Sequence, residues 1–443
     1  MILKQQSLKK KYSESDLITP TTRPISKVGR KSTFYFLAIT SGIITSLYVI
    51  LDVIANDMIQ DPYLFGFFEM SVGLAASVVL IGILSIPNLK KPKKQHGRHF
   101  LLGYSLDPNF TGIRFPKGKI GLYTLLAGLF ASGNTIIYFL LISRFEASVI
   151  MPFSQFTVVY LLIADSISER EKPVTIEIQS IVMIAIGVIV TSLQSSSSGG
   201  TIDPLGLLLV FGPFSICAAF YTFFQKKALT TKDAKGRNYD SINLRLWTMT
   251  IMTIGQTIAT IPTFIKNGVS ELTLNWKTAL TPVILSMLLV YIGVVFYSRA
   301  LTLGKMSIVK SLNSISVVAT LPMVALAGIW FGEIFQGEFT DPITVIMKIS
   351  GSILVLTGIV ALSMSEMKTI MLAKTSQGTP INLEDLTKIK GVETVSFITG
   401  KQDLLIRLRI RSIGKAYSLI VKNIEKIDWI KDITTLHIMK EYE

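Results

Sequence analysis

Ten stretches of this chain run apolar for about 20 residues each, with polar or charged segments between them. A helix needs about that length to cross the roughly 30 Å hydrocarbon core of a bilayer, where no water can pair a bare amide. The pattern therefore predicts transmembrane helices over residues 33–55, 64–84, 120–142, 147–167, 174–193, 204–224, 244–265, 282–300, 308–331 and 342–364. Beyond residue 364 the runs become short and alternating, as a half-buried sheet requires. Strands are expected at 369–374, 392–398, 404–410 and 433–439, and helices at 383–389, ended by Gly391, and at 413–427. The order β-α-β-β-α-β is that of a ferredoxin-like domain. The fold class expected is an all-α polytopic membrane protein with ten transmembrane helices, joined to a small α+β ferredoxin-like C-terminal domain. The segments are a basic tail (1–32), a first five-helix unit (33–194), a second (203–365) and the C-terminal domain (368–443).

Composition agrees with a bilayer as solvent, since 49% of the 443 residues are hydrophobic and 16% charged, with a mean hydropathy of +0.52. The net charge of +15 could suggest a nucleic-acid partner, but the basic residues sit in short runs between spans and build no aromatic-interleaved face, so none is expected. Their distribution instead orients the chain. Counting from a cytoplasmic N-terminus, inner loops hold Lys90, Lys91, Lys93, Lys94, Lys226 and Lys227, whereas outer loops hold only Arg144, Lys266 and Lys277. Both termini are then cytoplasmic, in a multi-pass protein of the cell membrane. The first span follows a polar, basic tail and lacks a small-residue cleavage site, so it is expected to remain as an anchor. The single cysteine, Cys217, allows no internal disulfide and is expected to be buried. With three histidines, His96 and His99 in one loop, no metal or other cofactor is expected.

A flexible Ser/Gly run at 195–200 separates the fifth and sixth spans, which invites a search for a repeat. A shift of 159 residues lays Tyr138 on Tyr297, Ser148 on Ser307, Val158 on Val317, Val159 on Val318 and Leu162 on Leu321. Spans three and four thereby pair with eight and nine, and an odd number of spans per unit makes two inverted five-helix repeats. Asn134, Tyr138, Gln155, Tyr297 and Asn313 all fall in the paired spans and are candidates for a solute cavity, along with Glu69 and Lys310. Each could instead only bridge helices. Asp52 and Lys348 stand close enough to span ends for their charges to reach the interface. Pro152 and Pro322 are placed to kink their helices. No nucleotide loop or arranged acid, base and nucleophile is present, so enzyme activity is not expected.

The tail resembles the effector-binding domain of the Lrp/AsnC regulators over most of 369–440, above all in GVETVSFITGKQDLLIRLRI, residues 391–410. Gly400 and Asp403 match that family's Gly-x-x-Asp turn. The resemblance implies a module that forms a homodimer and binds an amino-acid effector, with Gly400 and Asp403 in the effector site. The ten spans resemble the EamA type of the drug/metabolite transporters. That resemblance implies a secondary transporter, an exporter of amino acids or related small metabolites. A membrane-anchored solute sensor or scaffold without transport is the alternative.

Overall fold

A computed structural model describes residues 27–87, 101–169, 175–192, 204–233, 236–267, 270–304, 306–335, 342–363, 367–375, 392–398, 402–410 and 429–437, with single positions 386, 389, 424 and 427. Helical backbone covers each of the ten apolar segments: α1 (Lys27–Met58), α2 (Pro62–Leu84), α3 (Gly118–Ile142), α4 (Ala147–Gln155), α5 (Thr157–Glu169), α6 (Thr175–Ser192), α7 (Pro204–Leu209), α8 (Ser215–Thr230), α9 (Ser241–Asn267), α10 (Ser270–Leu303), α11 (Met306–Asn313), α12 (Ile315–Trp330), the short α13 (Gly332–Phe335) and α14 (Pro342–Ser363). Three segments are broken helices. In the fourth, α4 passes to α5 at Phe156; in the ninth, α11 passes to α12 at Ser314; in the sixth, a π-turn, Val210–Phe214, joins α7 to α8.

Among the described residues eight helical segments are long and apolar enough to cross a membrane. The other two fall short for different reasons. In α6 the apolar stretch whose side chains are described without interruption, Ile178–Thr191, is shorter than a span. α9 is 27 residues long but buries Arg245, Thr248, Gln256 and Thr260 against the bundle. Large apolar side chains such as Val78, Val79, Leu208, Ile329 and Trp330 point away from the bundle. Lipid is a good solvent for them and water a poor one, so this is a multi-pass membrane protein.

Helices from before the Ser/Gly run pack on helices from after it. α1 lies against α10 and, correspondingly, α3 against α8. α2 packs on α9, α4 on α12 and α6 on α14. α4 begins at Ala147 and α11 at Met306, 159 residues later, and both break within nine residues. Close approach needs small residues: a Cβ on Gly351 would stand 2.8 Å from the Gly187 carbonyl oxygen across the α6–α14 contact.

Pro152 lies three residues before the end of α4, whereas Pro322 sits inside an unbroken α12. The sharpest irregularity falls elsewhere, at Gly212 (φ −96, ψ −110) just before Pro213. Proline removes a donor there and leaves carbonyls to be satisfied from other helices. Asn134 Nδ2 donates to the Phe214 carbonyl at 3.0 Å, and Tyr160 OH donates to that of Phe211.

The tail holds four strands, β1 (Met367–Thr375), β2 (Val392–Phe397), β3 (Leu404–Ile410) and β4 (Ile430–His437). They form one antiparallel sheet in the order β2-β3-β1-β4. Alternate residues Met371 and Ala373, and Leu404, Ile406 and Leu408, are buried with Leu386, Ile424 and Trp429. Most of the expected helices at 383–389 and 413–427 lie outside the described residues.

Candidate functional site

A cavity of about 220 Å³ opens between the packed pairs. That is the room of roughly seven waters, or one small metabolite. Its lining begins on α1, where Ser41, Thr45, Tyr48 and Asp52 succeed one another at steps of four, three and four. Such spacing puts polar groups on a single helix face, here turned inward. Glu69 adds to it from α2, Asn134 and Tyr138 from α3, Tyr221 from α8, Arg245 from α9, Tyr297 from α10, and Lys310 and Asn313 from α11.

Asp52 is only 2% exposed. Tyr138 OH donates to its Oδ2 at 2.8 Å, and Ser286 Oγ donates to its Oδ1. The Glu69 carboxyl, also buried, lies at hydrogen-bonding distance from that of Asp52, while Glu69 Oε2 has no partner. The sequence placed both Asp52 and Lys348 near the membrane interface, and this is corrected. α1 continues to Met58 and turns Asp52 into the bundle, and Lys348, 2% exposed, pairs with Glu146 at the start of α4. An ion in a span is too costly to leave facing lipid, and a partner inside the bundle replaces the interface.

Six of the seven residues the sequence nominated for a cavity line it: Glu69, Asn134, Tyr138, Tyr297, Lys310 and Asn313. Asn313 also ties α11 to α1, its Nδ2 donating to Ser41 Oγ at 2.9 Å. Gln155 does not line the cavity. It is fully buried, accepts a hydrogen bond from Ser314 Oγ at 2.8 Å through Oε1, and approaches Ser316 Oγ at 3.4 Å through Nε2. Gln155 and Ser314 are counterparts 159 residues apart, so this contact joins the two helix breaks. Sequence reasoning missed Tyr48, Tyr221 and Arg245. The polar stripe on α1 could have revealed the first, whereas Arg245 was hidden by its place beside the start of a span.

A second polar cluster anchors the segment before α3 to the start of α9. Asp107 Oδ2 accepts from Ser241 N and Oγ at 2.7 and 2.6 Å, and Arg114 pairs with the fully buried Asp240 at 2.5 Å. Asp240 also accepts from Asn243 N at 2.8 Å, which caps α9. None of these residues lines the cavity. Cys217, expected to be buried, is half-buried. His96 and His99 lie outside the described residues, among which no group of three metal-binding side chains occurs.

Of the two tail residues nominated for an effector, Gly400 lies outside the described residues. Asp403 Oδ2 accepts from Thr375 N at 2.8 Å and Thr375 Oγ1 at 2.9 Å, pinning the turn before β3 to the end of β1. The bond from the Thr375 amide, followed by that from its hydroxyl, holds the Asp403 carboxyl below its ordinary 3.8. A carboxylate depressed in the fold stabilises it above 3.8, and this contribution disappears as pH falls through the lowered value. Pepsin should therefore cut the tail of Asp403→Asn faster than that of the wild type at pH 4.5, with the two converging toward pH 2. A gap of constant size would refute this account.

No curated protein matches the chain. One solved structure, titled "Crystal structure of protein", aligns over 74% of this chain and 96% of its own at 13% identity and a TM-score of 0.42, too slight a likeness to bear on the fold. The model of the EamA-like transporter family matches residues 32–193, from the start of α1 through α6. Over those residues, with apolar helices around a polar cavity, the chain is similar to a membrane transporter of small solutes.

Proposed function

We propose that this protein is a secondary transporter that exports amino acids or related small metabolites. Ten spans in two inverted halves place both termini in the cytoplasm. Support for α9 as a span comes from Ile254, Ile258, Ile261 and Ile265, an exposed apolar stripe opposite its buried polar face. The matched helix packing supports two related halves that could exchange conformations around a central site.

The acid pair in the cavity is the observation that carries the substrate class. Glu69 Oε2, buried and unpartnered, is the acceptor that the ammonium group of an amino acid would need. The tail serves as a cytoplasmic Lrp/AsnC-type sensor that binds an amino-acid effector and pairs two copies. Its support is the sheet order, because β3 lies between β1 and β2 as a split β-α-β unit requires.

The test is counterflow of labelled amino acids in proteoliposomes, with the full chain and a form truncated after residue 366. Amino-acid movement by the full chain that changes on truncation is the expected result. Movement of none would leave a membrane-anchored sensor as the better reading.

A further inference from the structure

Two cations line the cavity without a carboxylate to answer them. Arg245 is 4% exposed, its Nε has no acceptor, its Nη1 approaches the Met252 sulfur at 3.8 Å, and the neutral Tyr221 hydroxyl stands beside its guanidinium. Lys310 is half-buried on the α11 wall. None of the ion pairs among the described residues includes either cation.

Charge balance then constrains the solute. Two carboxyls in hydrogen-bonding contact share one proton, so Asp52 and Glu69 together contribute one negative charge. Against Arg245 and Lys310 the cavity is left with one positive charge in excess. A buried cation without a counter-charge is strongly unfavourable, and the molecule that completes this site must be anionic overall.

Position divides the work between the cations. Arg245 stands on α9, which packs on α2 and its Glu69, so Arg245 lies at the acid-pair end. Lys310 lines the cavity from α11 and makes no ion pair with either carboxyl. A guanidinium fork suits a carboxylate gripped at two points, next to an ammonium on the acid pair; a lone ammonium suits a second anionic group farther along.

We propose that the solute is an amino acid carrying two carboxylates, with the α-carboxylate on Arg245, the amino group on Asp52 and Glu69, and the side-chain carboxylate on Lys310. This assignment rests on the transport reading above and narrows its substrate class.

L-glutamate and L-glutamine test it, being nearly equal in shape and unequal in charge. In proteoliposomes holding the full chain, glutamate should be moved with a kcat/KM about tenfold or more above that of glutamine, because a site built for a charged group discriminates strongly against its neutral isostere. Lys310→Gln should reverse that preference while glutamine transport persists, which also reports that the variant is folded. Lys310→Arg should keep the preference for glutamate. Arg245→Gln should reduce both substrates alike, since both bear an α-carboxylate, with the unfolding temperature in detergent checking that the bundle remains intact.

Equal handling of the two substrates by the wild type would overturn the assignment and leave amino-acid transport standing. So would an unchanged preference in Lys310→Gln, or loss of both substrates from Lys310→Gln protein that unfolds at the wild-type temperature. Failure of the wild type to move glutamate, glutamine or any other amino acid would instead overturn the transport reading itself.

Discussion

Asp52→Leu should abolish solute movement while the protein still inserts in the membrane. The substitution removes the acceptor for both Tyr138 and Ser286, leaving two buried hydroxyls unpaired at about 1–3 kcal/mol each. It also strips Glu69 of its neighbour and fills polar space with an isobutyl group. Tyr138→Phe removes a single bond from the same carboxyl and should cost about 1 kcal/mol, with transport reduced and not lost. Counterflow rates and unfolding temperatures of the purified variants would check the ranking. If Asp52→Leu transported at half the wild-type rate or better, the acid pair could not be the centre of the site.

Gly42→Leu should have the larger effect on folding. A Cβ at this position would fall 2.5 Å from the Asn313 carbonyl oxygen and 2.6 Å from Ile315 Cγ2. The first of these obstacles is backbone, at the α11–α12 break, and it cannot rotate away. α1 would have to withdraw from the break, losing the Ser46 bond to the Ser316 carbonyl at 2.9 Å and the Asn313 bond to Ser41. Overpacking of this kind costs about 1–3 kcal/mol before the lost bonds are counted. The variant should aggregate or unfold at markedly lower temperature in detergent than Gly82→Leu, a control at which an added Cβ meets nothing within 4 Å. Equal stability of the two variants would refute the close approach of α1 to the break.

Eight of the spans were legible because bilayer thickness imposes one length on every apolar run, and eight of the predicted segments coincide with helices long and apolar enough to cross a membrane. Depth was not legible. Asp52 was judged by its distance from the end of an apolar run, but a helix face, not a run, decides which way a side chain points. Steps of four, three and four from Ser41 to Asp52 held that information. Gly212-Pro213 likewise carries the signal of a break in its own residue types, since proline removes a donor directly after a residue with no side chain.

The cluster of Asp107, Arg114, Asp240 and Asn243 was of another kind. Its two pairs, Asp107 with Arg114 and Asp240 with Asn243, lie more than 120 residues apart in the chain, and no local pattern relates one pair to the other. Gln155 misled for the opposite reason, since a polar residue in a span must find a partner and the sequence does not say whether that partner is solute or protein. The tail strands could be read from their alternation, although β4 begins at Ile430, three residues before the expected start.

The charged lining also bears on how the two halves came to depend on each other. Both cavity acids, Asp52 and Glu69, come from the segment before the Ser/Gly run, and both cations, Arg245 and Lys310, come from the segment after it. Doubling the earlier segment would set four carboxyls face to face, and doubling the later one would gather four cations, neither of which a dry interior tolerates. The two segments thus bring opposite charges to one cavity, and neither alone could line it with both an ammonium site and a carboxylate site.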